Sequence, residues 1–557
     1  GKNVKANHGG GFVLAEVNPQ SGLGAITTDN HYAPGLHVPY AAGKKLREWL
    51  ADGANHYATI SGTSLTTDST HGDVVAGFSS RGPNPTVADN IKPDITGPGR
   101  YVFAPYCGNE CTEYDHPVYY TVISGTSMSS PHLAGAAALI AGARPTWTPD
   151  MIQSSIMLTA KNTDQWNDKG VVYNSAGATK DLTADAFDVG SGRVQVAKAI
   201  SNPIVMTETK ANYLKADPKK YWDTTDDTAA QPSKLNIASL GNGTCIGTCG
   251  WRRTLTNTNS SASGTYTVTT TNITSGLSLS ASGSISIIGN GTATLDVTAD
   301  VTSVPVGQWA FGTVTMTHSS GKYPTLHLPV AARAASGRVP LKLNIATKDA
   351  TSDKTFKKFE GNVSGSNALQ TEVYGLVKGT ETKETLDSDP TNGDAYDSFG
   401  GQSDGAFFVN VTVPSGAKRL VAHITASESG DLDLFVGTGA TPSVANQKAT
   451  ATTSGALEYV SLVNPAAGQY WVLVQNWQGG RTADKLTLQT AVVTGSSASP
   501  VNMTATPSST TSNQFNMTVG WQGLAAGYWY GALGMKAAND VTADYIGKTD
   551  IDLVMSE

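Results

Sequence analysis

No run of 18 or more apolar residues occurs in the 557-residue sequence, which excludes a membrane-spanning helix. Charge is scarce: 15% of residues are charged, no cluster of Lys or Arg appears, and the formal net charge is -7. This argues against nucleic acid as a partner, because phosphate binding needs a basic face. Cysteine is scarce too. The four fall into two local pairs, Cys107 with Cys111 and Cys245 with Cys249. A structural zinc site would want four converging ligands. The pairs lie far apart in sequence with no ligand interleaved, so two disulfides are the expectation. Bridging so short a loop removes about 2 kcal/mol of chain entropy, enough to pin a turn but not to hold a core together. Disulfides imply an oxidising, extracellular compartment. The sequence starts at Gly1 without a charged n-region and apolar core, and any signal peptide is expected upstream.

The length exceeds what one hydrophobic core supports, so three or four domains are expected. With 39% hydrophobic residues, 59 Gly and long Ser/Thr runs, the composition suits β-rich extracellular modules better than a charged cytosolic enzyme. Residues 1–52 read as helix, strand, turn, strand, helix, the last carried by Leu46, Trp49 and Leu50 at helical spacing. From 53 to 205, apolar strands such as "DVVAGFSS" and "YYTVIS" alternate with helices such as "SPHLAGAAALIAGA" and "PDMIQSSIMLTA". That alternation predicts an α/β segment with a parallel sheet covered on both faces. Residues 206–240 read as a connector. Beyond it helical periodicity disappears, and Thr-rich alternating strands predict one β-sandwich over 241–335 and a second β unit over 340–495. Residues 496–557 form a β-rich tail too short for an independent fold.

The chemistry concentrates in "ISGTSMSSPHLAG", residues 123–135. A catalytic serine needs an exposed hydroxyl and amide hydrogens aimed at the developing oxyanion. Gly125 permits a close turn, and Ser127 begins a helix where its own N–H sits at the positive end. Pro131 is read into the first turn, where its missing donor costs nothing. The run of small residues after Gly135 predicts a helix slim enough to be buried.

This stretch resembles the nucleophile motif of the subtilisin-like serine proteases. "FSSRGPN" at 78–84, "IKPDITGPG" at 91–99 and "FDVGSGRVQVAKAI" at 187–200 agree with the same family, in order. The resemblance covers about 1–205, and the family usually shows Ala at the positions of Gly97 and Ser129. It implies a fold of the subtilisin type, represented by its C-terminal part, with residues 1–52 as the remnant of a protease-associated insert. Residues 241–335 are similar to the fibronectin type III-like domain of large secreted bacterial members. The 340–495 unit is similar to a bacterial prepeptidase C-terminal domain, with "DLDLFVG" its best local match.

In this family the triad runs Asp, His, Ser along the chain, with an oxyanion Asn before the serine. The resemblance therefore implies that Asp, His and Asn precede Gly1. None of the histidines substitutes: His8, His31, His37 and His56 lie in or just after the insert remnant, and "THGD" at 70–73 reads as a surface loop. His132 is the family's structural histidine, and His116, His318, His327 and His423 match no motif. In subtilisin itself, loss of the histidine costs about 10⁶ in turnover. This chain alone is expected to be inactive.

The resemblance thus implies a secreted serine endopeptidase acting on protein or peptide substrates, with Ser127 as nucleophile. Ser124, Gly125 and Thr126 would border the primary pocket, and an N-terminal fragment of the same precursor would be its partner. The alternative is an inactive secreted binding or adhesion protein. No cofactor is expected. Asp387, Asp389 and Asp394 in "DSDPTNGDAYD" could bind calcium but lack the twelfth-position Glu of a calcium loop and read as a solvated turn. Asp431 and Asp433 point to one face of a strand. The loop from Cys107 to Pro117 is expected to border the cleft.

Overall fold

The computed structural model describes residues 2–16, 33–61, 73–106, 119–162, 166–167, 182–217, 230–361, 369–479, 483–494, 502–511, 514–537 and 546–557. Cys107, Cys111 and the loop to Pro117 fall outside them, as do His31, His71 and His116. The chain divides into two compact units, Gly1–Tyr221 with Thr228–Ala334 and Trp222–Asp227 with Ala335–Glu557. The α/β segment is followed by β-sandwiches.

The first unit opens with α1 (Lys2–Ala6) and a parallel pair of strands, Phe12–Ala15 and Gly35–Val38, followed by α2 (Tyr40–Ala51). Trp49 and Leu50 stay about half exposed, at 43% and 51%. The helical spacing is real, with Leu46 partly covered and the Trp49 ring edge-on to His56.

The helices α3 (Thr126–Ala143) and α4 (Pro149–Leu158) follow, then α5 (Ala186–Val189), α6 (Val196–Ser201) and α7 (Lys210–Lys215). Strands in this segment are short. "DVVAGFSS" supplies only Val74–Val75, paired in parallel with Trp166–Asn167. "YYTVIS" supplies Tyr119–Ile123, antiparallel to Val102–Tyr106. Helix α3 is not buried as its composition predicts. Only Ala136 and Ile140 are fully buried, Ile140 against Ile156 of α4 and Ala199 of α6, while Leu139 is 64% exposed. A helix apolar on all sides requires cover on all sides, and the elements described here supply one.

The following sandwich has sheets of four and five strands, and it is not a free appendage. Ile204–Val205, just after α6, is the edge strand beside Thr248–Asn257. Met157, Leu158, Ile204 and Met206 sit in the same core as Trp251, Leu295 and Leu328. The sequence reads 206–240 as a connector, yet its two ends are packed down, with Met206, Leu235 and Ala238 at most 5% exposed, while α7 between them stays exposed. Arg253, 1% exposed, donates to the carbonyls of Ser233, Ile237 and Ser239. Burial without a carboxylate contact among these bonds pulls its guanidinium down to about 9. Cys245 and Cys249 are joined, with Cα atoms 5.3 Å apart.

In the second unit the strands divide differently from the sequence reading. Residues 496–557 are not a separate tail. Leu343 lies opposite Ile551, Thr355 opposite Thr518 and Val373 opposite Leu533, so 337–378 and 502–557 build one sandwich of two four-stranded sheets. A second sandwich, with strands from Thr380–Leu386 to Asp484–Val493, is inserted between those halves. The reason is burial: four terminal strands cannot cover their apolar faces alone, and Phe356, Phe359 and Leu376 complete the core around Phe515, Met517 and Leu533. Arg419 of the inserted sandwich is fully buried and reaches Asp550 at 2.9 Å and Asp552 at 2.6 Å in the other.

Candidate functional site

The strand Tyr119–Ile123 delivers the chain into Ser124 and Gly125, and Gly125 caps α3 in an extended conformation. The amides of Met128 and Ser129 turn back to the Gly125 carbonyl at 3.0 and 3.3 Å. The N–H groups of Thr126 and Ser127 precede these bonds and remain among the free donors of a helix start. Ser127 is exposed. Pro131 lies six residues into α3, not in its first turn. The amide it lacks is the one that would bond to the Ser127 carbonyl, so the ladder is interrupted beside the serine.

The 97–101 loop holds the turn at three points. The Gly125 amide donates to the Gly99 carbonyl at 2.8 Å. The Ser129 hydroxyl donates to the Gly97 carbonyl at 3.0 Å, and the Tyr101 amide donates to Ser124 Oγ at 2.8 Å. A Cβ at Gly99 would lie 2.8 Å from the Gly125 oxygen, so only glycine allows this approach. Gly125 and Thr126 line a cavity of about 430 Å3 with Val74, Phe78, Ile95 and Gly97. Ser124 is outside that lining; its hydroxyl is spent on the loop.

Ion pairs that the sequence reading did not anticipate fix the loops behind the turn. Asp73 accepts from Lys161 and Arg193, both at 2.6 Å. Arg81 pairs with Asp185 at 2.5 Å and Asp188 at 2.6 Å, joining "FSSRGPN" to α5. These partners lie more than a hundred residues apart except for the 88 between Asp73 and Lys161, and only the fold brings them together.

No described histidine is bonded to the Ser127 hydroxyl. His132 Nδ1 donates to the Met128 carbonyl at 2.8 Å, turned back along its own helix. His56 stacks on Trp49, and His318 contacts Ser320 and two tyrosines. His327 Nε2 donates to the Ser191 carbonyl at 2.7 Å. His423 faces Tyr530 Oη, and burial drives its imidazole down to about 4.

The carboxylates of the acidic loop are taken up by backbone and side-chain donors. Asp389 is buried, with Oδ1 accepting from Thr391 and Oδ2 from Gln475. Asp387 accepts from the Ala483 amide and Gln402, and Asp394 from the Tyr396 amide. Among the described residues no three His, Cys, Asp or Glu side chains gather as metal ligands. Asp433 stands apart: burial, then Asp431 and Glu458, raise its carboxyl to about 6.

Residues 58–178 match the subtilase family. This stretch is a subtilase segment. Residues 405–476 match the bacterial pre-peptidase C-terminal domain, within the inserted sandwich. A CO(2)-response secreted protease of Arabidopsis thaliana is 30% identical over 299 residues, 46% of this chain and 37% of the relative. Subtilisin-like protease SBT4.6 of the same plant is 43% identical over 144 residues, 25% of this chain and 18% of the relative. The chain therefore spans well under half the length of these relatives. Among solved structures, tripeptidyl peptidase 2 aligns with 82% of this chain and 38% of its own, at 11% identity and a TM-score of 0.25.

Gly97 and Ser129 are neighbours in space. A Cβ on Gly97 would lie 3.1 Å from Ser129 Oγ and 3.2 Å from Leu133 Cδ2. The Ser129 hydroxyl fills the space beside Gly97 and bonds to its carbonyl.

Proposed function

We propose that this chain is the serine-bearing part of a secreted serine endopeptidase hydrolysing peptide bonds of extracellular proteins. The triad Asp and His and the oxyanion Asn come, on this reading, from a preceding segment of the same precursor. The observation that carries it is the exposed Ser127 hydroxyl at the amino end of α3, with no described imidazole bonded to it. The bare side of α3 is consistent with a missing partner. In the reaction Ser127 Oγ attacks the scissile carbonyl and its proton passes to the supplied imidazole, which returns it to the leaving amine. The Ser127 N–H donates to the oxyanion, and water then releases the acyl group. Thr126 and Gly125 border the substrate side-chain pocket. Residues 1–52 are read as the remnant of a protease-associated insert and 241–335 as a fibronectin type III-like sandwich; Cys107 and Cys111 are read as a second bridge.

A fluorophosphonate probe tests the proposal. The chain alone should label little or not at all. Co-expressed with an upstream coding segment carrying Asp-Thr/Ser-Gly and His-Gly-Thr, it should label at Ser127 and lose the label in Ser127→Ala. Absence of labelling in that complex favours the second reading, an inactive secreted binding or adhesion protein.

A further inference from the structure

The sandwich of the first unit touches the preceding α/β segment through a buried histidine that the proposed chemistry does not use. His327 lies in the strand Leu326–Ala334, is 5% exposed, and places Nε2 2.7 Å from the Ser191 carbonyl oxygen. A carbonyl only accepts, so Nε2 carries the proton. Burial pulls the imidazole down from its ordinary range.

From Ser191 the contacts lead to the serine turn without a break. The Ser191 amide donates to the Asp94 carbonyl at 2.9 Å, and the Thr96 amide donates to the Gly192 carbonyl at 2.9 Å. The Val194 amide returns to the Thr96 carbonyl at 3.0 Å. Gly97 and Gly99, next along the chain, accept from Ser129 and Gly125. The turn at 190–192 has no slack. Gly190 and Gly192 hold φ of +61° and +114°, and a Cβ on them would lie 2.3 Å from the Pro93 oxygen and 2.1 Å from the Lys161 oxygen. A displacement of Ser191 therefore passes to the 94–99 loop.

We propose that His327 is a positioning residue: through its bond to the Ser191 carbonyl, the sandwich fixes the 94–99 loop and with it the backbone turn that presents Ser127. That the turn presents a nucleophile rests on the function proposed above; the mechanical coupling does not.

His327→Leu removes the donor and leaves a buried carbonyl unpaired, and His327→Gln keeps an N–H at the reach of Nε2. Hydrogen exchange followed by mass spectrometry reads the full chain directly. In H327L the peptide covering 119–130 should exchange about tenfold faster, the factor expected for one net hydrogen bond. A peptide from 470–478 in the second unit should not change, and H327Q should restore the 119–130 rate. If H327L does not fold, His327→Asn, whose amide falls short of the carbonyl, takes its place. A lower unfolding midpoint with unchanged exchange at 119–130 overturns the proposal, as does H327Q behaving like H327L. In the complex with the upstream segment, the fluorophosphonate rate should follow the same order. A wild-type complex that never labels defeats the nucleophile reading and leaves the exchange result to decide the coupling.

Discussion

Replacing Gly99 by alanine tests whether the 97–101 loop sets the position of the serine turn. The new Cβ would stand 2.8 Å from the Gly125 carbonyl oxygen and 3.1 Å from Ser129 Cβ. Both obstacles are close to the backbone of the helix start, so neither can swing away. Overpacking of this kind costs about 1–3 kcal/mol. Weakening the 2.8 Å bond from the Gly125 amide to the Gly99 carbonyl adds about 1 kcal/mol, for an expected loss of ~2–4 kcal/mol. Gly97→Ala is the internal control. Its Cβ meets only side chains, Ser129 Oγ at 3.1 Å and Leu133 at 3.2 Å, which can give way. The restricted unfolded chain returns about 0.4–1 kcal/mol, so G97A should stay within about 1 kcal/mol of the parent. Urea unfolding of the first unit's transition gives both stabilities, and the fluorophosphonate rate of the complex gives the geometry. A nucleophile misplaced by about 1 Å loses about 10² in rate, which G99A should show and G97A should not. Equal effects of the two substitutions, in stability and in labelling, would refute the account of how the turn is held.

Arg419→Met should destabilise the second unit by about 3–5 kcal/mol, because the largely covered Asp550 then loses its cation and Asp552 keeps only Lys342, 3.4 Å away; the urea midpoint measures it, and adding D550N and D552N should recover much of the loss. Asp433, raised to about 6, is protonated in the folded state between about pH 4 and 6 where the unfolded chain is ionised. The folded state then binds more protons, so its stability contribution is present below about pH 4 and is lost as pH rises through 6. Asp433→Asn should therefore match the parent at pH 4 and exceed it above pH 6 in thermal unfolding, and an unchanged difference across that range would contradict the assignment. Deleting the sandwich after residue 240 should leave the subtilase segment insoluble on expression, since Met157, Leu158, Ile204 and Met206 lose their core.

Much of the site was legible in the sequence because its requirements are local. A glycine for the turn, a serine two residues later and small residues along the following helix are stated in consecutive letters, and α3 ends and α4 begins where those letters place them. The family resemblance added the order of the triad. Pro131 was misplaced because a helix start is set by which amides bond back to Gly125, and that depends on how the loop at 97–99 seats the turn. The bare side of α3 was also unforeseen, since composition states what a helix needs covered and not whether the cover is present.

Alternation of apolar and polar residues was enough to mark the β-sandwiches, because a strand with one buried face carries that period in its own sequence. Partner choice is carried by no single strand. Leu343 beside Ile551 and Val373 beside Leu533 are pairings across more than 150 residues, so the division of the second unit into an outer and an inserted sandwich was decided only by the fold. The same holds for Gly99 against Gly125 and for His327 against Ser191. Chemistry written in adjacent residues could be read directly, whereas the contacts that hold it in place depend on distant segments meeting.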